Sequence, residues 1–229
     1  GGKGEIKGWS LPDEIEKPLW TLDIPKSEAL FKPEVNALLI GEQESDPFLV
    51  AGCGDNMIHI FSLQSHKPKQ TLKGHTDYVN CLALSPDSRT LYSGSEDGSI
   101  RIWDLRSASV VNLIEPHKYQ VSGGGPLMSS WHLRSLSKGI EFETPPSETV
   151  ANTALCHNDL VVCGGNNPYV YVWEMDGKLM SQIPTSASNV FSLAISERNE
   201  KTILTAGGAS CKINVCSNFK YNDFCLTIQ

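Results

Sequence analysis

The sequence predicts an all-β protein, a β-propeller of repeated four-stranded sheets, on three observations. One unit recurs along the chain, its anchor residues fall at the spacing of one blade, and each period holds four strand signals divided by turns. The unit is clearest from Ser93 to Leu105 and returns with decay at Ala51 to Leu63, Cys163 to Met175 and Ala206 to Cys216. Gly4 to Leu11 matches its second half. The Trp-like anchors are Trp9, Phe61, Trp103, Trp131, Trp173 and Cys216, separated by 52, 42, 28, 42 and 43 residues. Three of the five gaps lie in the roughly 40 to 45 residue period of a four-stranded blade.

The strands of the clearest unit follow in order. Val79 to Leu84 is a short apolar run, Pro86-Asp87 a turn, and Thr90 to Ser93 a second strand. Asp97-Gly98 is a hairpin signal before Ile100 to Trp103, and after the turn Arg106 to Ala108 the run Val110 to Ile114 supplies a fourth strand. Glu34 to Ile40 and Asn189 to Ile195 parallel Tyr78 to Leu84, so first strands are found independently of the anchors.

The 52-residue gap holds extra residues between Pro12 and Pro33 and reads as a long outer strand with a connecting loop. The 28-residue gap is short of a blade by about 14 residues, and no first strand and turn fit between Ile114 and Ser122. Residues are therefore expected to be absent near Tyr119 to Val121. The opening Gly1-Gly2-Lys3, with no initiator Met, reads as the inside of a longer protein.

Composition excludes several classes. Of 229 residues 40% are hydrophobic, which suits a packed core, and 19 Lys and Arg against 26 Asp and Glu leave a net charge of -7. A broad basic face for a phosphate backbone is not available from that balance. The longest apolar runs, such as Val35 to Ile40, fall far short of the roughly 20 residues of a spanning helix. Seven cysteines without a C-x-x-C pair give neither a disulfide framework nor a zinc ribbon, and a reducing compartment fits them best.

Gly74-His75, Asp97 at the tight turn and Trp103-Asp104 together resemble the signature of the WD-repeat family, which residues 72 to 114 match nearly throughout. The resemblance implies a hydrogen-bonded structural tetrad of His75, Ser93, Asp97 and Trp103. The types suit a chain: an indole N–H only donates, a carboxylate only accepts, and His and Ser do both. In the other units Cys163 and Asn167 replace Ser93 and Asp97, Ala51 and Phe61 replace Ser93 and Trp103, and Ser210 and Cys216 replace Asp97 and Trp103. Those blades are expected to rest more on apolar packing.

A closer resemblance rests on Pro33 to Leu39, Gly74 to Tyr78, Ile102 to Arg106, Gly123-Gly124-Gly125-Pro126, Trp131 to Ser135, Leu204 to Gly208 and Tyr221 to Ile228. Together these are similar to one branch of WD-repeat proteins, scaffold subunits of the nuclear assembly that couples transcription to mRNA packaging and export. That resemblance implies a seven-bladed propeller of which residues 1–229 are one domain, holding the end of blade two and blades three to seven. It implies nuclear localisation, docking on coiled-coil subunits of the same complex, and higher-order self-association. RNA is then met through the complex, and no membrane is involved. The alternative is a generic WD-repeat substrate receptor of a ubiquitin ligase or chromatin complex.

Other constellations have plainer readings. His75, Ser93 and Asp97 are the types of a hydrolase triad, but nucleophilic catalysis needs an accessible Oγ and oxyanion donors; no catalytic residue is assigned. Gly123-Gly124-Gly125-Pro126 lacks the phosphate-loop pattern and reads as a hairpin. Cys156-His157 with Cys163, and Cys211 with Cys216, read as core thiols, so no metal site and no cofactor is expected. Lys67, Lys69 and Lys73 read as solvated charges, and Glu141 to Glu148 as a loop without chemistry. Arg101, His59, Tyr171 and Asn214 take equivalent places on the third strand. Trp20, Leu22, Ile24 and Phe31, spread through the Leu11 to Pro33 insertion, are the candidate partner-binding residues, against the plainer reading that they cap their own blade.

Overall fold

The structure is a computed structural model describing residues 4–9, 18–25, 32–115, 129–132, 137–143, 145, 149–198, 201–219 and 221–227. It forms two compact units, Gly1–Val121 and Ser122–Gln229. Every regular element among the described residues is a strand.

In the first unit, β1 (Glu5–Gly8) pairs antiparallel with β2 (Trp20–Asp23), Ile6 opposite Leu22 and Gly8 opposite Trp20. Next come β3 (Val35–Gln43), β4 (Asp46–Cys53), β5 (Met57–Ser62) and β6 (Pro68–Lys73), a four-stranded meander in chain order. A second meander follows from β7 (Val79–Leu84), β8 (Thr90–Ser95), β9 (Ile100–Asp104) and β10 (Ser109–Ile114). The turn residues explain the hairpins: Asn56 and Gly98 carry the positive φ of 66° and 77° that tight turns demand.

The second unit repeats the plan. β11 (Ser129–His132) pairs with β12 (Ser137–Glu141). β13 (Ala151–His157), β14 (Leu160–Gly165), β15 (Tyr169–Glu174) and β16 (Leu179–Pro184) make one meander, and β17 (Val190–Arg198), β18 (Lys201–Gly208), β19 (Lys212–Ser217) and β20 (Tyr221–Thr227) another.

Burial tracks strand position. The first strands alternate, as Val35–Gln43 does, whereas Phe48 to Cys53 on β4 and Val170 to Trp173 on β15 are buried continuously. A strand covered on both faces carries such an uninterrupted apolar run. In the first unit Phe48, Val50, Ile58, Ile60 and Leu72 pack on Val79, Leu91, Trp103 and Leu105 of the following sheet. In the second, Val162, Val170, Val172 and Ile183 meet Val190, Leu193, Leu204 and Cys216 in the same way. Successive four-stranded meanders packed face to face, the first strand of one against its predecessor, are the blades of a β-propeller.

The outer strand expected between Pro12 and Pro33 is four residues long among the described residues, β2, and pairs with β1. The shortened join near Tyr119 to Val121 and the loop Gly123-Gly124-Gly125-Pro126 lie outside the described residues.

Candidate functional site

The polar centre of the clearest blade is assembled from two strands and two loops. Ser93 on β8 lies opposite Arg101 on β9, and Leu91 opposite Trp103. Trp103 is thus diagonal to Ser93 on one face of the sheet. His75 arrives from the loop between β6 and β7, and Asp97 from the β8–β9 turn. Trp103 Nε1 donates to Ser93 Oγ at 2.8 Å, His75 Nε2 is 2.7 Å from the same Oγ, and His75 Nδ1 is 2.8 Å from Asp97 Oδ2. The Asp97 carboxylate also accepts from Thr76 N at 3.1 Å, Ser99 N at 2.9 Å and Ser99 Oγ at 2.6 Å.

The electrostatics agree with the geometry. Burial pushes the His75 imidazole below its ordinary value, against the pull of Asp97, so the ring is neutral near pH 7. Burial opposes ionisation of Asp97, but the hydrogen bonds from Ser99, His75 and the Thr76 and Ser99 backbone outweigh it and hold the carboxyl well below the usual range. With a neutral imidazole, one proton order satisfies every group: indole N–H to Ser93, Ser93 O–H to Nε2, and Nδ1–H to Asp97. Ser93 is 1% exposed, and its oxygen is engaged by both Trp103 and His75, so a substrate carbonyl has no route to it.

The sister blades fill the same positions differently. In the first meander Ala51 lies opposite His59 and Leu49 opposite Phe61. His59 Nε2 reaches Asp55 Oδ2 at 2.9 Å and its Nδ1 reaches Thr71 Oγ1 at 3.3 Å, so here the Asp of the β4–β5 turn is paired with a His on the third strand rather than with one from the preceding loop. In the third, Cys163 lies opposite Tyr171, and Asn167 Nδ2 donates to the Tyr171 hydroxyl at 2.9 Å. Trp173, fully buried, donates from Nε1 to the Glu143 carbonyl at 2.9 Å. In the fourth, Asn214 lies opposite Ala206 and its Oδ1 accepts from Ser186 N at 3.0 Å. The equivalence of His59, Arg101, Tyr171 and Asn214 is thus a matter of register, and His59, Tyr171 and Asn214 are buried. Beside their apolar packing, these three blades keep a polar pairing at this position, with new partners.

Several expectations are corrected by exposure. Cys53, Cys163 and Cys216 are buried, but Cys156 and Cys211, expected as core thiols, are exposed. Burial pushes the thiols of Cys53 and Cys163 up to about 12. His157 pairs with Glu197 at 2.9 Å. The acidic stretch is not a bare loop at its start: Glu141 ends β12, Phe142 is buried edge-on to Trp173, and Glu143 Oε2 accepts from Leu179 N at 2.9 Å. Nothing in the local sequence signals this, because the partner lies more than 30 residues away. Lys69 is paired with Asp46 at 2.8 Å and sits over the Phe48 ring.

Two of the candidate partner residues are buried between the β1–β2 sheet and the meander that follows it. Leu22 and Ile24 are 2% and 1% exposed and pack with Ile6, Val35, Leu49 and Phe61, while Trp20 is half-buried and stacks on His66. Phe31 lies outside the described residues. Exposed apolar side chains occur on first strands, as Ile40 on β3 and Phe191 on β17, and on last strands: Val110, Val111 and Leu113 on β10, and Phe224 and Leu226 on β20. β10 and β20 each end their sheet. A signal exists in the sequence: β6 carries Lys69 and Lys73, the charges that usually protect such an edge, and β10 carries none.

Comparison with known proteins follows the same lines. The WD domain, G-beta repeat family matches residues 66–104, the blade with the complete polar chain. THO complex subunit 6 homolog of Danio rerio is 36% identical over 99% of this chain and 76% of its own length. THO complex subunit 6 of Homo sapiens is 33% identical over 99% of this chain and 73% of its own. These two matches run over 251 and 253 aligned positions, more than the 229 residues of this chain, so the relatives carry internal residues without a counterpart here. The blade construction, the repeat match and this extent of similarity place the chain in the THO complex subunit 6 family of WD-repeat proteins.

Proposed function

We propose that this protein is a non-catalytic scaffold of the THO complex that supports mRNA processing and nuclear export through protein contacts. Both compact units then belong to one propeller, and the protein acts in the nucleus. Its partners are the coiled-coil subunits of the complex and further copies within a THO oligomer, and RNA is met through those partners because the chain carries a charge of -7. The observation that supports this reading is the contrast between the core of the clearest blade and the sheet edges. His75, Ser93 and Asp97, the residue types of a hydrolase triad, are engaged with one another in the blade core, while the outer strands β10 and β20 offer apolar side chains at sheet edges. Such an edge favours protein contact over chemistry.

The test is a tagged pull-down of the full-length protein from nuclear extract, with mass spectrometry of what co-elutes. Recovery of the other THO subunits, reduced by Val111→Glu in a protein of unchanged melting temperature, is the expected result. Their absence from the wild-type eluate discards the assignment. Labelling of Ser93 by a serine-hydrolase probe would overturn the non-catalytic reading.

A further inference from the structure

We propose that Cys53, Asp55 and His59 form a zinc site in the first four-stranded meander, holding the end of β4, the β4–β5 turn and β5 together. One donor atom from each lies within 4.8 Å of the other two. In a tetrahedral zinc site, bonds of about 2.0 to 2.3 Å set donor atoms roughly 3.3 to 3.8 Å apart. The widest separation here therefore needs to close by about 1 Å, within reach of a single side-chain rotation, and the 2.9 Å between His59 Nε2 and Asp55 Oδ2 needs to open by less. Sulfur, imidazole nitrogen and carboxylate oxygen are the three donor types this cation takes from proteins, and three protein ligands leave one position for a water.

The surroundings are arranged as a metal site requires. His59 Nδ1 faces Thr71 Oγ1 at 3.3 Å, an outer partner that fixes the ring with Nε2 toward the site. Asp55 Oδ1 is occupied by the Met57 backbone N–H at 3.2 Å, which leaves Oδ2 pointing inward. Cys53 is fully buried, and the side chains of Asp55 and His59 are 5% and 4% exposed. On binding, the Cys53 thiol proton leaves to solvent, and a dication with one thiolate, one carboxylate and a neutral imidazole is uncharged overall. Burial favours that balance over a lone cation or anion.

The four-stranded meanders among the described residues offer the same three places, and of these four only this one fills all three with ligands. By register the equivalents are Ser95, Asp97 and Arg101; Gly165, Asn167 and Tyr171; and Gly208, Ser210 and Asn214. Where the next blade is pinned by the His75 chain, this blade has Ala51 and Phe61 in place of the hydroxyl and the indole. The ion would supply the missing cross-link.

The experiment measures zinc in the full-length protein, purified without chelators, and the spectrum after exchange with cobalt. About one zinc per chain is expected, with a thiolate-to-cobalt charge-transfer band. Both should be lost in Cys53→Ser and His59→Gln and kept in Cys163→Ser, which removes another buried thiol. Thr71→Val should weaken metal retention by about 10- to 100-fold, and it keeps the test open if the ligand variants fail to fold. Background metal in folded wild type with no cobalt band overturns the site, as does metal retained equally by the ligand variants.

Discussion

His75 stands between Ser93 and Asp97 with one ring nitrogen on each, 2.7 Å from the hydroxyl and 2.8 Å from the carboxylate. This fixes the direction of every proton from Trp103 to the β8–β9 turn and makes Asp97 the terminal acceptor. Asp97→Ala leaves the Nδ1–H, two backbone N–H groups and the Ser99 hydroxyl without their acceptor. A loss of about 1 to 3 kcal/mol, the range for leaving a buried group unmet, is expected in urea denaturation. Asp97→Asn keeps the acceptor oxygen but not the charge and should cost less. An unchanged urea midpoint in Asp97→Ala would refute the chain.

Trp103 and Ser93 should be energetically coupled. Trp103→Phe removes the only indole donor to Ser93 Oγ, and Ser93→Ala leaves both the indole and His75 Nε2 unmet. The molecule already contains the paired alternative, Ala51 with Phe61, both fully packed. The double variant Ser93→Ala with Trp103→Phe should therefore cost less than the sum of the singles, by about 0.5 to 3 kcal/mol. Strict additivity in denaturation curves would show that the contact carries no energy.

The sequence made the blade legible where local pattern and long-range pairing agree. From Val79 to Ile114 the strands and the turn at Asp97-Gly98 fall within two residues of their observed bounds, because alternation, hairpin chemistry and the anchor all point to one register. The substitutions at Cys163, Asn167, Ala51 and Phe61 were also readable from the repeat. What replaces the lost bonds was not. Glu143 supplies its carbonyl to Trp173 from 30 residues away, and His59 on β5 pairs with Asp55 of the turn just before that strand. The first partner depends on which segments pack beside which, and the second on how two side chains of one hairpin turn toward each other; the strand periodicity records neither. Cys156 misled for a related reason: β13 is a first strand with alternating exposure, so a thiol one place out of phase faces outward.

Stability should fall with acid in two stages. The His75 value is lowered on folding, so the unfolded chain takes up a proton first; the contribution is complete above the unfolded value near 6.5 and is lost as pH falls from there through the folded value. Asp97 is also lowered, so its contribution is complete above the unfolded value near 3.8 and is lost as pH falls below it. Urea midpoints at neutral pH, between these values and below the second should step down twice. In Asp97→Asn the second step should shrink while the first persists. A midpoint that rises on acidification between pH 7 and 5 would contradict a neutral buried imidazole.

Gly164 sets how closely β14 approaches the next sheet. A Cβ built there lies 2.4 Å from Val190 Cγ1 and 2.8 Å from its Cβ, and both are rigid, because Val190 is fully buried in the core that joins the two sheets. Gly52, its equivalent on β4, meets Val79 Cγ1 at 2.9 Å and the Val79 carbonyl at 3.0 Å. Overpacking of this kind costs about 1 to 3 kcal/mol. Gly164→Ala is therefore expected to lower the melting temperature, and Val190→Ala in the same chain should recover part of the loss by vacating the contested volume. If Gly164→Ala melts like wild type, the sheets stand farther apart than these contacts allow.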